Sequence, residues 1–280
     1  MFPKAVFAPI GQVTGPIGWK SPAPINDVYV FDLDTLVPSP KGRMDVEFAR
    51  YLTAFANKRP CYILSNTSIT DIMARVPSSL RAACAGLYAA GGTELWVRDE
   101  LVLQHEHDFS DDLYEFMVKV IQTSAYPEKR APMLENGSAT LRLCIAGYQS
   151  TLREIGEYAA WEGEHDELST IIHEFNARFP DYCIHRDTAT SLLIVPKTFS
   201  SDLVMRHLLK RHKNARLVGY MTPAASSSYA AALSEAFGSK DVLSIIAGPS
   251  DVSQLLSYEF RRLLQQEQNS AAPALEKVEA

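Results

Sequence analysis

No stretch of this 280-residue chain approaches the roughly 20 consecutive apolar residues that a membrane span needs. A basic run is missing too. The 27 Lys and Arg face 33 Asp and Glu, a formal net charge of -6, which argues against a nucleic-acid surface. The four cysteines, Cys61, Cys84, Cys144 and Cys183, show no C-x-x-C spacing. That excludes the usual zinc and disulfide patterns and suits reduced thiols in a core. The first residues, Met1-Phe2-Pro3-Lys4-Ala5, carry no long apolar segment, so secretion is not expected and the expected location is cytoplasmic.

What is present is ordinary for a globular protein: 46% hydrophobic and 21% charged residues. The length suffices for one large core or two smaller ones. Residues 1–26 hold Pro3, Pro9, Gly11, Gly15, Pro16, Gly18, Pro22 and Pro24, too many breakers for a long helix or a central strand. An extended arm is expected there, ordered by packing on the domain or on a neighbouring subunit, which makes a homo-oligomer through the arm conceivable.

The informative stretch is Asp27-Val28-Tyr29-Val30-Phe31-Asp32-Leu33-Asp34-Thr35. Val28 to Phe31 is β-branched and aromatic and reads as a fully buried strand. Two carboxylates at i and i+2 then leave one face of an extended backbone. Like charges are costly to bury, so this end should open into a polar crevice, where open α/β sheets bind ligands. An ionised aspartate there is a candidate nucleophile towards phosphorus, with the second as acid/base. A plain turn is the competing reading, since Asp favours turns. Without a cation, the pair should repel by about 3 kcal/mol at ~5 Å and an effective dielectric near 20, so removing one charge should not cost stability.

Further along, Tyr62-Ile63-Leu64 reads as a second buried strand running into Ser65-Asn66-Thr67-Ser68, with a helix from about Thr70 to Val76. Ser65 and Thr67 are good helix caps, and a helix start also attracts anions. Gly86 to Leu103 reads as a strand and a hairpin with its tip at Arg98-Asp99-Glu100. This β-helix-β order predicts a parallel sheet with right-handed crossovers. The pattern then changes. Helical stripes at Phe109–Ile121 and Leu168–Phe179 flank strands at Ala139–Ile145, Tyr182–His185 and Ser191–Val195, an α+β insert over 106–194. A helix at Leu203–His212 and a strand at Arg216–Gly219 return to the first sheet. A helix at Tyr229–Phe237, a strand at Val242–Ala247 and a helix at Val252–Leu264 follow. The division is thus arm 1–26, core 27–105 and 195–264, insert 106–194, and a polar tail at 265–280.

Phe31-Asp32-Leu33-Asp34-Thr35-Leu36-Val37 resembles the first motif of the haloacid dehalogenase superfamily, D-x-D-G-T-L, without its glycine. Cys61 to Ser68 resembles the second motif, and Ala90-Gly91-Gly92-Thr93-Glu94-Leu95-Trp96-Val97 the hairpin of members with a type IIB cap, such as phosphomannomutase and trehalose-phosphate phosphatase. The resemblance covers about residues 27–262 and implies a Rossmann-like core with the insert as its cap. It further implies Asp32 as nucleophile, Asp34 as acid/base, and Ser65, Asn66 and Thr67 around the phosphate of a small phosphorylated molecule. Mg²⁺ would sit on Asp32 and Asp34.

Other parts of that pattern are missing. Tyr220 follows Gly219 where the family places a metal-binding acid, and nothing acidic comes before Glu235. The family's lysine position falls on Ser200 or Ser201. Arg142 and Arg186, on strands of the insert, are candidate substrate contacts because Arg suits phosphate oxygens. His105 and His107 are too isolated for a metal site. Two functions follow: a phosphatase-type hydrolase with an impaired site, or an inactive relative that binds or scaffolds.

Overall fold

The computed structural model describes residues 27–37, 39, 41–199, 202–213, 215–221 and 242–246, with 252, 254, 256, 257 and 261. The expected arm at 1–26, the helix at Tyr229–Phe237, the tail at 265–280 and the Ser200-Ser201 pair lie outside these residues.

In chain order the elements are β1 (Asp27–Asp32), α1 (Val46–Ala56), β2 (Cys61–Leu64), α2 (Ile69–Arg75), α3 (Ser78–Ala83), β3 (Gly86–Ala89), β4 (Glu94–Val97) and β5 (Glu100–Gln104). Next come α4 (Asp111–Thr123), β6 (Leu134–Asn136), β7 (Leu141–Cys144), α5 (Leu152–His165), α6 (Glu167–Arg178), β8 (Tyr182–Thr188) and β9 (Ser191–Pro196). The chain then returns through α7 (Asp202–Arg211), β10 (Arg216–Met221) and β11 (Val242–Ile246).

The first sheet runs β11-β10-β1-β2-β3-β4-β5. Its pairs from β11 to β3 are parallel, and β4 and β5 add an antiparallel hairpin. Alternation along β1 sorts its side chains between two layers. Tyr29 and Phe31 pack with Leu52 and Phe55 of α1, Ile72 of α2 and Leu80 of α3. Val28 and Val30 face the other way, into Tyr62, Tyr88 and the Val204, Met205 and Leu208 stripe of α7. That strand is buried on both sides, as its unbroken apolar run requires. Asp45 fixes the start of α1 by accepting the Phe48 N–H at 2.8 Å. Helix α7 is tied beneath the sheet by two aromatic hydroxyls. Tyr88 Oη lies 2.7 Å from His207 Nδ1, and Tyr62 Oη 2.8 Å from His212 Nε2. Both histidines have lowered pKa values, through burial first and then the nearby Arg211.

The second sheet, β6-β7-β9-β8, is antiparallel throughout. Leu141, Leu143, Leu192 and Ile194 carry Phe116 and Met117 of α4, Tyr158 of α5 and Phe175 of α6 on one face. Helix α5 is absent from the periodicity reading because its apolar stripe is thin. Its start was nevertheless written in the chain: Thr151 and Glu154 form a reciprocal capping box. The four cysteines are free thiols. Burial pushes the Cys84 thiol up to about 12, far from the reactive range. No helix among the described residues is long and apolar enough to cross a membrane.

Candidate functional site

The first motif departs from the extended geometry expected of it. Strand β1 ends at Asp32, and Leu33–Thr35 turn immediately into a 3-10 helix. Asp32 caps that turn: its Oδ1 accepts the Asp34 N–H at 3.4 Å, and its carbonyl accepts the Thr35 hydroxyl at 2.7 Å. The two carboxylates therefore do not leave one face of a strand. Asp34 swings towards α2, where Arg75 Nη2 holds its Oδ1 at 3.0 Å. Arg75 is only 6% exposed, against 50% for Asp34. The same guanidinium donates to Asp71 at 3.3 Å, and to the Ser39 and Gly42 carbonyls. The simple repulsion expected of the pair is thus corrected, because a nearly buried arginine balances Asp34.

Beside this turn, the parallel register places Leu64 opposite Asp32, so Ser65 begins the neighbouring edge. Ser65 Oγ accepts the Thr67 N–H at 3.1 Å and lies 2.8 Å from Thr67 Oγ1. The cap of α2 is Ser68, which accepts the Asp71 N–H at 3.3 Å, rather than Ser65 or Thr67. Gly91 takes φ +64° and donates its N–H to the Ser65 carbonyl at 3.1 Å, fastening the β3–β4 turn under this loop. That conformation suits a residue without Cβ.

The insert meets this edge through Asp187. Its Oδ1 accepts from Asn66 Nδ2 at 2.8 Å, and its Oδ2 accepts from Arg142 Nε and Nη2 at 3.1 and 2.8 Å. Arg142 Nη1 goes to Glu135 at 2.8 Å. Burial alone would lower the Arg142 pKa, yet Asp187, Tyr148 and Glu135 together hold it above its usual value. Arg142 also lies 4.9 Å over the Tyr148 ring. Lys41, from the loop after the first motif, donates to the Ser150 carbonyl. Arg186 goes elsewhere. It pairs with Glu162 and Asp166 at 2.8 and 2.7 Å, on the helix-covered side of its sheet.

Asn66 and Arg142 also line a cavity of about 500 Å³ between the β4–β5 hairpin and the second sheet, with Glu94, Trp96 and Glu135 among its walls.

Magnesium fits the described residues poorly. Asp34 is engaged by a guanidinium, and no group of three His, Cys, Asp or Glu gathers as a metal site among the described residues. Tyr220, at the expected acid position, is 1% exposed and stacks on Phe31 with centroids 5.0 Å apart. Its ring belongs to the α1 side of the core.

Sequence reasoning missed Arg75, Asp187, Glu94 and Trp96. Arg75 had a signal, since it follows Ile69 and Ile72 at i+3 spacing and so lies on the inward helix face. Asp187 had none, and it lies in β8 where the pairing register shifts between Arg186 and Thr188.

No protein-family model matches the sequence, and no curated protein matches it. Solved structures do. The Candida albicans trehalose-6-phosphate phosphatase C-terminal domain aligns over 84% of this chain and 91% of its own, at 13% identity and TM-score 0.59. The Candida albicans trehalose synthase regulatory protein C-terminal domain aligns over 84% and 93%, at 14% identity and TM-score 0.56. IMP-nucleotidase of Plasmodium falciparum aligns over 83% and 68%, at 13% identity and TM-score 0.54. The chain therefore shares the α/β fold of these solved structures, with a mostly parallel central sheet flanked by helices.

Proposed function

We propose that this chain is a phosphatase-like protein that binds a small phosphorylated molecule beside Asp32 and hydrolyses it slowly. The 106–194 insert serves as the cap. The observation that carries the reading is the juxtaposition of Asp32 with the Ser65-Asn66-Thr67 loop across the β1–β2 register. Ser65 and Thr67 hydroxyls and the Asn66 amide offer donors to phosphate oxygens. Asp32 attacks phosphorus, the bond to the ester oxygen breaks, and water then releases phosphate from the aspartyl intermediate. The likeness to proteins named for trehalose-6-phosphate and IMP, both phosphomonoesters, supports this substrate class.

Slowness follows from the neighbours. A positioned acid contributes about 10²–10⁴ in rate, and Asp34 is committed to Arg75. A lost charge-stabilising group costs a further factor of about 10²–10³, and Tyr220 is a buried ring rather than an acid. With the leaving oxygen protonated by water instead of Asp34, turnover is far below that of a complete site. The same Asp34–Arg75 pair favours a second reading, a binding or scaffolding protein without turnover, and one structural neighbour is itself named a regulatory protein.

Phosphate release from a panel of monoesters at high enzyme, with and without Mg²⁺, separates the two. The expected result is slow release that falls at least about 100-fold in Asp32→Asn. Ligand-induced thermal stabilisation without release establishes the second reading. Neither release nor stabilisation overturns both.

A further inference from the structure

The cavity between the β4–β5 hairpin and the second sheet is unbalanced in charge. Arg142 is its one cation among the described lining residues, and that guanidinium is already committed to Glu135 and to Asp187. Glu135 and Glu94 line the same space. Among the described residues, no cation is paired with Glu94. Its Oε2 accepts from Trp96 Nε1 at 2.9 Å and its Oε1 from Ser138 Oγ at 3.1 Å, both neutral donors. Two carboxylates, Glu94 and Glu135, thus face the cavity with one guanidinium, which Asp187 also engages from outside the lining, so the described lining carries an excess of negative charge.

This reverses what Arg142 offers as a residue type. An unpaired arginine would invite a second phosphate or a carboxylate. Saturated by two carboxylates, with its side chain 12% exposed, it has little left to offer an anion. The aromatic wall points the same way. Trp96 stands beside Glu94, and an indole face together with carboxylates is favourable to an ammonium group. The volume suits a molecule of sugar size. Asn66 lines the cavity and also follows Ser65, so the space adjoins the loop proposed to hold phosphate.

We propose that this cavity receives a protonated amine, and that the ligands of this protein are phosphomonoesters carrying an amino group. The phosphate half rests on the function proposed above; the amine half stands on the cavity alone. Glu94 is the specificity-determining residue. It fixes the amine while Glu135 and Asp187 keep Arg142 from attracting an acid.

Titration calorimetry with four probes tests both halves separately: glucosamine 6-phosphate, glucose 6-phosphate, 6-phosphogluconate and unphosphorylated glucosamine. The two sugar phosphates share a ring and differ in the amine, and 6-phosphogluconate adds a carboxylate on an open chain. The expected order is amine over neutral over acid, with about a tenfold preference for the amine over the neutral sugar phosphate. Glu94→Gln, which keeps the shape and removes the charge, should reduce that preference at least about threefold. Should the variant fail to fold, the wild-type preference must instead shrink as salt is raised, as a screened charge contact does. Equal or tighter binding of the neutral or acidic phosphate overturns the amine assignment and leaves the phosphate reading intact. Glucosamine binding as tightly as its phosphate sinks the phosphate reading and leaves the amine site. Binding by none of the four removes both.

Discussion

The strands on either side of β1 end in opposite ways. On one side, β2 runs into Ser65-Asn66-Thr67, hydroxyls and an amide aimed into a polar edge and cross-linked among themselves and to Asp187. On the other side, β10 carries Tyr220, whose ring is stacked into the core on Phe31. On the proposed reading, the groups suited to grip a phosphate lie on the β2 edge, while the position where the resembled motif pattern has an acid holds Tyr220, part of the core. Binding and turnover would then draw on different edges of the same strand.

The largest test of that contrast is Tyr220→Asp. Restoring the missing acid removes a stacked ring and places a carboxylate in an apolar layer, at a cost of about 3–5 kcal/mol. Denaturant unfolding measures it. A loss below about 1 kcal/mol with faster phosphate release would mean that the β10 edge is still a catalytic edge.

Arg75→Met comes next. It strips a nearly buried guanidinium from Asp34 and Asp71, and since both carboxylates are substantially exposed the expected cost is about 2–3 kcal/mol rather than that of a fully buried pair. If Arg75 is what withholds Asp34 from catalysis, phosphate release per folded molecule rises about tenfold. An unchanged rate would show that the β10 edge alone limits turnover. Asp34→Asn is milder. The half-exposed pair is screened by solvent, so its loss should cost about 0.5–1 kcal/mol. A stabilised Asp34→Asn would restore the picture of two repelling aspartates.

The smallest effect concerns the far face, where neither edge takes part. His207 and His212 titrate below their usual range when folded. Between those depressed values and about 6.5 the unfolded chain binds protons that the folded one refuses, so stability is lost as pH falls through this window. A melting temperature lower by a few degrees at pH 5.5 than at pH 7.5 is expected, and His207→Gln with His212→Gln should flatten the difference. A flat wild-type profile contradicts it.

Much of this architecture was legible. Val28 to Phe31 announces a doubly buried strand because no polar residue interrupts it, and the alternation around Leu141, Arg142 and Leu143 announces a half-buried one. The site was legible in its residue types but less in its geometry. Asp32 and Asp34 suggested the chemistry, yet their relation depends on a 3-10 turn and on Arg75, forty-one residues further along. Long-range partners leave no local mark. Arg142 and Arg186 look alike in sequence, and only register shows one facing the cavity and the other the helices.

Asp187 has a consequence for how tightly a ligand binds. Its carboxylate holds the Asn66 amide and the Arg142 guanidinium, with the side chain 5% exposed. On the proposed reading, an incoming phosphate that takes the Asn66 N–H now given to Asp187 competes with an anion tethered to the same molecule at high effective concentration. Any such exchange lowers the apparent affinity by the fraction of molecules in which that N–H is released.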